Sequence, residues 1–478
     1  MGLRTLFRRT WIKVSLIVAG MLLLAFLAVA LTWSRLFIPS PPEADFDAPA
    51  NQTEAYRQDL DYLARYVEYE KSLEDESKAA AFLDAVKAAH ADLEGMTPAR
   101  FELVVARAVA QTDNAHSSVS PISRTRRVNH LPVRVGPLTD GYFVIQTTRE
   151  HADLLGAEIV AVEGQPVTKV VDAFLQYFGG PEQRRRFFSH LFLTSPALLH
   201  AEGITASPDA ATLRFALPDG GIVERRLDAL PPAEGRREPY GREVIDYRVP
   251  QEDADDWIHL MSGETPPLYL SEPDEPYLYE FLEEENGGYV RINFNADVDG
   301  RSLVDWLEGV AVELAGRRPA FAVVDLRFNG GGTDATSRFA KELPELVANG
   351  GPIYVLTSPQ TFSAAVMATA QFKEFGGEQV KVVGGAAGDR MRFVANGGTP
   401  FTLPNSGIML RVWSTWEDVK DGCWDWTDCF WLSPYFRNPG VATLEPDIPV
   451  PLDFEDYRAG RDAALEAALA DAKRITGS

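Results

Sequence analysis

Two short stretches of this 478-residue chain combine residue types that can perform acyl chemistry. In FAVVDLRFNGGG an apolar run ends at Gly330, Gly331 and Gly332, and in PIYVLTSPQTFSAAV a second apolar run leads to Ser363 and a series of small residues. Glycines let backbone N–H groups converge where a side chain would block approach. A serine at a helix start lies beside the positive end of the helix dipole. Together these parts can hold a developing oxyanion next to a hydroxyl nucleophile. The same pattern also describes a plain strand–turn–helix corner with Ser363 as an N-cap. The nucleophile reading therefore needs a base from elsewhere in the chain.

Of the seven histidines, His116 stands apart. It follows a helical run that ends near Gln111, sits in the polar stretch TDNAHSSVSP, and precedes the strand-like LPVRV, outside any apolar periodicity. An imidazole titrates near neutrality and can take a serine proton and return it.

The elements that must position these residues are legible in order. Arg4, Arg8, Arg9 and Lys13 precede the apolar run VSLIVAGMLLLAFLAVALTW over 14–33, long enough to cross a bilayer, so 1–37 reads as a transmembrane anchor or a cleaved signal segment. Either form puts the rest of the chain outside the cytoplasm, attached to the inner membrane by a single pass or secreted. Residues 38–53 form a Pro-rich, acidic spacer. Residues 54–130 are helical and carry His116, with Thr97-Pro98 as a helix start. From 131 to 231 alternating strands dominate, and LLGAEIVAVEGQPV resembles the loop and hairpin of a PDZ-like module that binds extended peptides. Arg184, Arg185 and Arg186 form the sharpest basic cluster there; a solvated helix face is the default, a site for a substrate carboxylate the alternative. Residues 232–276 are an acidic, Pro-rich linker with short strands, and 277–478 alternate strand and helix as an α/β unit. Inside that unit, 411–436 is Trp-rich and holds Cys423 and Cys429, which can pair in an oxidising compartment. It reads as a packed surface loop or as a substrate lid.

Composition narrows the partners. A net charge of −23 leaves no basic excess for phosphates, which argues against nucleic acid. Two cysteines without an accompanying ligand set argue against a metal site, and no cofactor is expected.

The order of the pieces resembles the C-terminal processing (tail-specific) serine protease family and its tricorn-core and retinoid-binding-protein relatives. The likeness rests on a helical N-terminal region, D-x-x-H-S at 113–117, the PDZ-like segment, DLRFNGGG, TFSAA and EPDIPV, and covers about 54–470. It implies an α/β (α+β overall) fold with a crotonase- or Clp-like core, and a serine peptidase acting on peptides or proteins. By the same resemblance Ser363 is the nucleophile, and the backbone N–H groups of Gly331 and Ala364 form the oxyanion hole. The Ser–Lys branch takes its base from a Gly-rich turn; here that turn is VVGGAAGDRMRF, with Gly388, Asp389 and Arg390 but no lysine. Arginine stays protonated, so the resemblance favours the Ser–His branch, with His116 as base. Ser117, Asp113 and Glu445 are the candidates for orienting it. The alternative is a protease-like protein without catalysis that binds peptides or other ligands. Acyl-CoA chemistry rests on the fold analogy alone.

Overall fold

The computed structural model describes residues 3–119, 124–232, 241–249, 256–425, 428–429 and 440–477. The mixed α/β fold is built on a six-stranded sheet. Its order is Ile448–Pro449, Val380–Gly384, Ile353–Thr357, Phe321–Asp325, Gly287–Ile292 and Tyr277–Leu282. All neighbours are parallel except the last pair. Parallel neighbours need crossovers; helices supply three of them, and a two-stranded ribbon lies in the connection from Val380–Gly384 to Ile448–Pro449.

The strands are unbroken apolar runs because both faces are covered. Successive side chains point to opposite faces. Ala322 and Val324 pack under the helices Leu303–Arg317, Ser337–Leu346 and Ala364–Gly376 through Leu307, Val310, Leu343 and Phe372. Phe321 and Val323 face the other way, onto Leu465, Ala468 and Ala472 of the closing helix Ala463–Thr476.

A second, antiparallel sheet runs Val133–Leu138, Gly141–Thr148, Glu158–Val162, Ala210–Ala216 and Ile222–Asp228. Trp257–His259, inside the stretch read as linker, pairs with Gly141–Thr148 and extends it. The helices Gln52–Ala64, Glu76–His90 and Pro98–Val109 share one large core with this sheet. Thr97 caps the last of them, accepting from the Arg100 N–H at 3.2 Å.

Two sequence expectations change. The stretch read as a Trp-rich loop begins as a strand: Met409–Asp418 pairs antiparallel with Arg392–Thr402 in a two-stranded ribbon. The glycines and proline in NGGTP hide this ribbon from a simple alternation count. Cys423 and Cys429 are joined by a disulfide, while Trp426 and Trp431 lie outside the described residues. The N-terminal residues form one helix, Leu3–Phe37. Among the described residues, however, no helix is long and apolar enough to cross a membrane. The anchor expected over 14–33 therefore finds no support, although exposed side chains such as Leu22, Leu24 and Phe26 line that helix.

Candidate active site

Three loops leave the carboxyl ends of three adjacent parallel strands, the position where such sheets hold ligands. The glycine triplet follows Phe321–Asp325, Ser363 follows Ile353–Thr357, and Asp389 follows Val380–Gly384. Strand order thus makes neighbours of residues far apart in sequence.

Buried polar side chains clamp these loops together. Asn329 donates to the Ile292 carbonyl at 3.0 Å and to Asn295 Oδ1 at 2.7 Å. The Asn295 amide reaches Ala364 O at 3.3 Å, and the Phe362 N–H donates to Asn329 O at 3.0 Å. The Gly388 N–H donates to Thr361 O at 2.8 Å, tying the Asp389 turn to the serine loop. These bonds satisfy groups that would otherwise be orphaned in the core.

Ser363 occupies the N-cap position of Ala364–Gly376 but does not cap it. Its side chain makes no capping hydrogen bond, and its backbone stands at φ 55°, ψ −122°. A non-glycine residue held there costs about 1–3 kcal/mol and is typical of a side chain fixed for function. The glycine triplet permits this corner. A Cβ on Gly331 would fall 2.6 Å from Ser363 Cβ and 3.1 Å from its Oγ, and the Gly331 φ is +102°. No other residue type fits without displacing the serine.

The two amides expected as oxyanion donors, those of Gly331 and Ala364, differ in their hydrogen bonding. The Gly331 N–H is committed to Asn329 Oδ1 at 2.9 Å. Gly330 and Gly332, by contrast, line the cavity that Ser363 faces. Among the described residues, the amides of Gly330, Gly332 and Ala364 donate to no backbone carbonyl or side chain.

His116 lines the same cavity of about 500 Å³. Its ring lies among Phe362, Phe393 and Trp413, with centroids 4.2, 5.6 and 4.9 Å away. Both ring nitrogens are buried without a hydrogen-bond partner. Nδ1 lies 3.4 Å from Asp389 Oδ2, with both side chains almost wholly buried. Burial, reinforced by the Arg184 charge, holds the imidazole down to about 3, so it is neutral at physiological pH. Burial pushes the Asp389 carboxyl up to about 7, against the pull of Arg184.

None of the three residues considered for orienting His116 meets its ring. Asp113 pairs with Arg390 at 2.8 Å. Glu445 lines a different, larger cavity of about 760 Å³ beside Pro446 and Pro449. Ser117 donates to Glu70 Oε1 at 3.1 Å and so fixes the loop rather than the ring. Glu70, which sequence reasoning missed, organises that loop. It also accepts from Ser72 at 2.7 Å, from Tyr66 at 3.2 Å and from the Trp413 N–H at 2.9 Å. Trp413 Nε1 in turn donates to the His116 carbonyl at 2.8 Å. The loop rests on Gly179 and Gly180, where a Cβ on Gly180 would come within 2.5 Å of Ala115 Cβ. A buried acid followed by Lys71-Ser72 carries no motif, so only the fold marks Glu70. Asp389 did have a signal, its place in the Gly-rich turn that lacks a lysine. Lys373 and Lys381 pair with Asp447 and Asp471 instead of serving the site.

No protein-family model and no curated protein matches the chain. Solved structures do. CPAF complexed with lactacystin aligns over 88% of this chain and 98% of its own, with a TM-score of 0.54 and 14% identity. This chain shares the fold of CPAF. Mature CPAF aligns equally well, over 88% of this chain and 96% of its own at 14% identity and TM-score 0.54. The tricorn protease aligns over 89% of this chain and 37% of its own at 13% identity, and its TM-score of 0.39 carries no weight. At such identities the likeness to CPAF speaks to fold alone.

Proposed function

We propose that the protein is a serine peptidase of the C-terminal processing protease family, in its Ser–His branch. One observation carries the reading: an uncapped, strained Ser363 at a helix start shares a cavity with a buried, neutral His116. Likeness to CPAF in fold and the ordered motifs support it.

Ser363 Oγ attacks the scissile carbonyl while its proton passes to His116. Asp389 lies on the Nδ1 side of the ring, which leaves Nε2 for the serine. The oxyanion is met by the Ala364 N–H and an amide of Gly330 or Gly332. The C–N bond then breaks, with the imidazolium proton going to the leaving amine. Water hydrolyses the acyl-enzyme by the reverse proton path. Asp389 stabilises the imidazolium as it forms. No hydrogen bond joins His116 to Ser363, and in this reading substrate binding closes the pair.

The antiparallel sheet serves as a PDZ-like module presenting extended peptide. The division into a helical region to 130, this module to 231, a linker to 276 and a protease core belongs to the same reading. The Cys423–Cys429 disulfide supports an extracytoplasmic location.

A second reading, a ligand-binding protein without catalysis, draws on one observation, the unpartnered ring nitrogens of His116. A serine-reactive phosphonate separates the two. Labelling lost in both Ser363→Ala and His116→Ala establishes the peptidase reading; peptide binding without labelling refutes it.

A further inference from the structure

The cavity shared by Ser363 and His116 carries an unusual charge. Arg184, Arg185 and Arg411 all line it, and among the described lining residues there is no aspartate or glutamate. The chain around it is strongly acidic, at −23, so this concentration of positive charge runs against the overall composition. Its members are differently engaged. Arg184 is buried, packs 3.4 Å over the centroid of the Phe362 ring, and reaches the Pro359 carbonyl at 3.4 Å. Its charge acts on Asp389 and on His116. Arg184 therefore belongs to the site's own electrostatics. Arg185 Nε is buried with no hydrogen-bond partner. A guanidinium donor withdrawn from water without an acceptor is costly unless something arrives to accept from it. Arg411 is exposed and spends one N–H on Gly398 O at 2.7 Å. The sequence showed Arg184, Arg185 and Arg186 as one basic run. The fold separates it: Arg186 turns to Asp172 and Glu182 at the surface, while Arg184 and Arg185 face the cavity.

We propose that this cavity selects peptides carrying a carboxylate beside the scissile bond, with Arg185 and Arg411 as the residues that read it. The chemistry is bidentate guanidinium–carboxylate pairing. Its source is an acidic side chain or the peptide's own carboxyl end. Because the arginines share the cavity with Ser363, either must lie within the few residues flanking the bond. This specificity rests on the peptidase reading above, but the carboxylate preference is measurable without turnover.

The test uses the full chain and four fluorescent peptides of one sequence: Glu or Gln at the position flanking the bond, each ending in a free acid or an amide. Binding is read by anisotropy on the Ser363→Ala protein, and cleavage on the wild type. Tighter binding and faster cleavage of a carboxylate-bearing peptide, by about tenfold over its neutral isostere, are expected. The Glu/Gln arm identifies a side chain and the acid/amide arm a chain end. Arg185→Gln and Arg411→Gln should each bring that ratio towards one, and Arg185→Lys should restore part of it. Equal binding of all four peptides overturns the proposal, as does a ratio untouched by both glutamine variants. A preference in binding without any cleavage by the wild type supports the carboxylate site and overturns the peptidase reading instead.

Discussion

Two buried clusters of titratable side chains lie at the carboxyl ends of strands of the core sheet, and they are finished to opposite degrees. At one, Arg327 meets Asp325 at 3.0 and 3.1 Å through Nε, and meets Asp462 at 2.7 and 2.8 Å through its terminal nitrogens. Tyr289 adds a hydroxyl donor to Asp325 at 2.7 Å. This cluster ties the strand to the start of the closing helix, where Asp462 also accepts from the Leu465 N–H at 3.0 Å. At the other, His116 and Asp389 lie 3.4 Å apart, yet both imidazole nitrogens and Asp389 Oδ2 lack hydrogen-bond partners. A saturated buried network fixes structure; an unsaturated one holds groups in reserve for a reaction. On the proposed function, the contrast separates residues that hold this protein together from residues that act.

The strongest way to break that contrast is to delete each group and read activity and stability together. His116→Ala should lower peptide turnover by about a thousandfold. Its unfolding free energy should fall by about 1–2 kcal/mol at most, the packing lost against Phe362, Phe393 and Trp413, because the ring makes no hydrogen bond to lose. A large loss of stability in denaturant melts would place His116 with the structural cluster instead.

Asp462→Ala should do the reverse. It leaves Arg327 half-paired in the core and uncaps Ala463–Thr476, costing about 3–5 kcal/mol in urea unfolding. Turnover per folded molecule should stay within about threefold of wild type, since Asp462 does not line the Ser363 cavity. Loss of activity without loss of stability would undo the distinction.

The pH dependence of stability sharpens it further. His116 is held at about 3 against its ordinary 6.5, so between those values the unfolded chain binds the extra proton and stability rises with pH. Asp389 is raised from 3.8 to about 7, so across that window the folded chain binds the extra proton and stability falls as pH rises. The two slopes oppose and nearly cancel in the wild type between about pH 4 and 6.5. His116→Gln should expose the falling slope and Asp389→Asn the rising one, each near 1.4 kcal/mol per pH unit at most. Flat profiles in both variants would show that the pair is not buried as a unit.

The smallest effect is expected in catalysis by Asp389→Asn, a drop of about tenfold in kcat/KM. Its specific mark is in the pH profile. The wild type should gain activity as Asp389 ionises near pH 7, and the variant should lose that limb. A uniform drop at every pH would assign Asp389 to packing.

Much of the candidate site could be read without a structure. The glycine triplet and Ser363 declare themselves because each ends an apolar run long enough to be a buried strand, and sheets of this kind place ligands at such ends. Thr97-Pro98 announces its helix because capping is local chemistry. His116 was legible only by exclusion, as a histidine outside any apolar periodicity. The ribbon Arg392–Thr402 with Met409–Asp418 escaped a reading by alternation although LPNSGI between its strands is a turn signal, because Gly397 and Gly398 break the alternation of its first strand.

What the chain alone determined, then, is which short segments turn sharply and which bury themselves, since both follow from side chains within a few residues of one another. What only the tertiary structure decided is adjacency. The parallel order of three strands brings Gly330, Ser363 and Asp389 to one edge, though crossover helices separate them in sequence. Glu70 reaches the His116 loop from 47 residues upstream of Ser117, and the Trp413 strand from still farther in sequence. The same packing commits the Gly331 amide to Asn329 and sets Arg185 and Ser363 in the lining of one cavity. Hydrogen-bond partners and charge neighbours in a core are set by long-range packing, which no local pattern encodes.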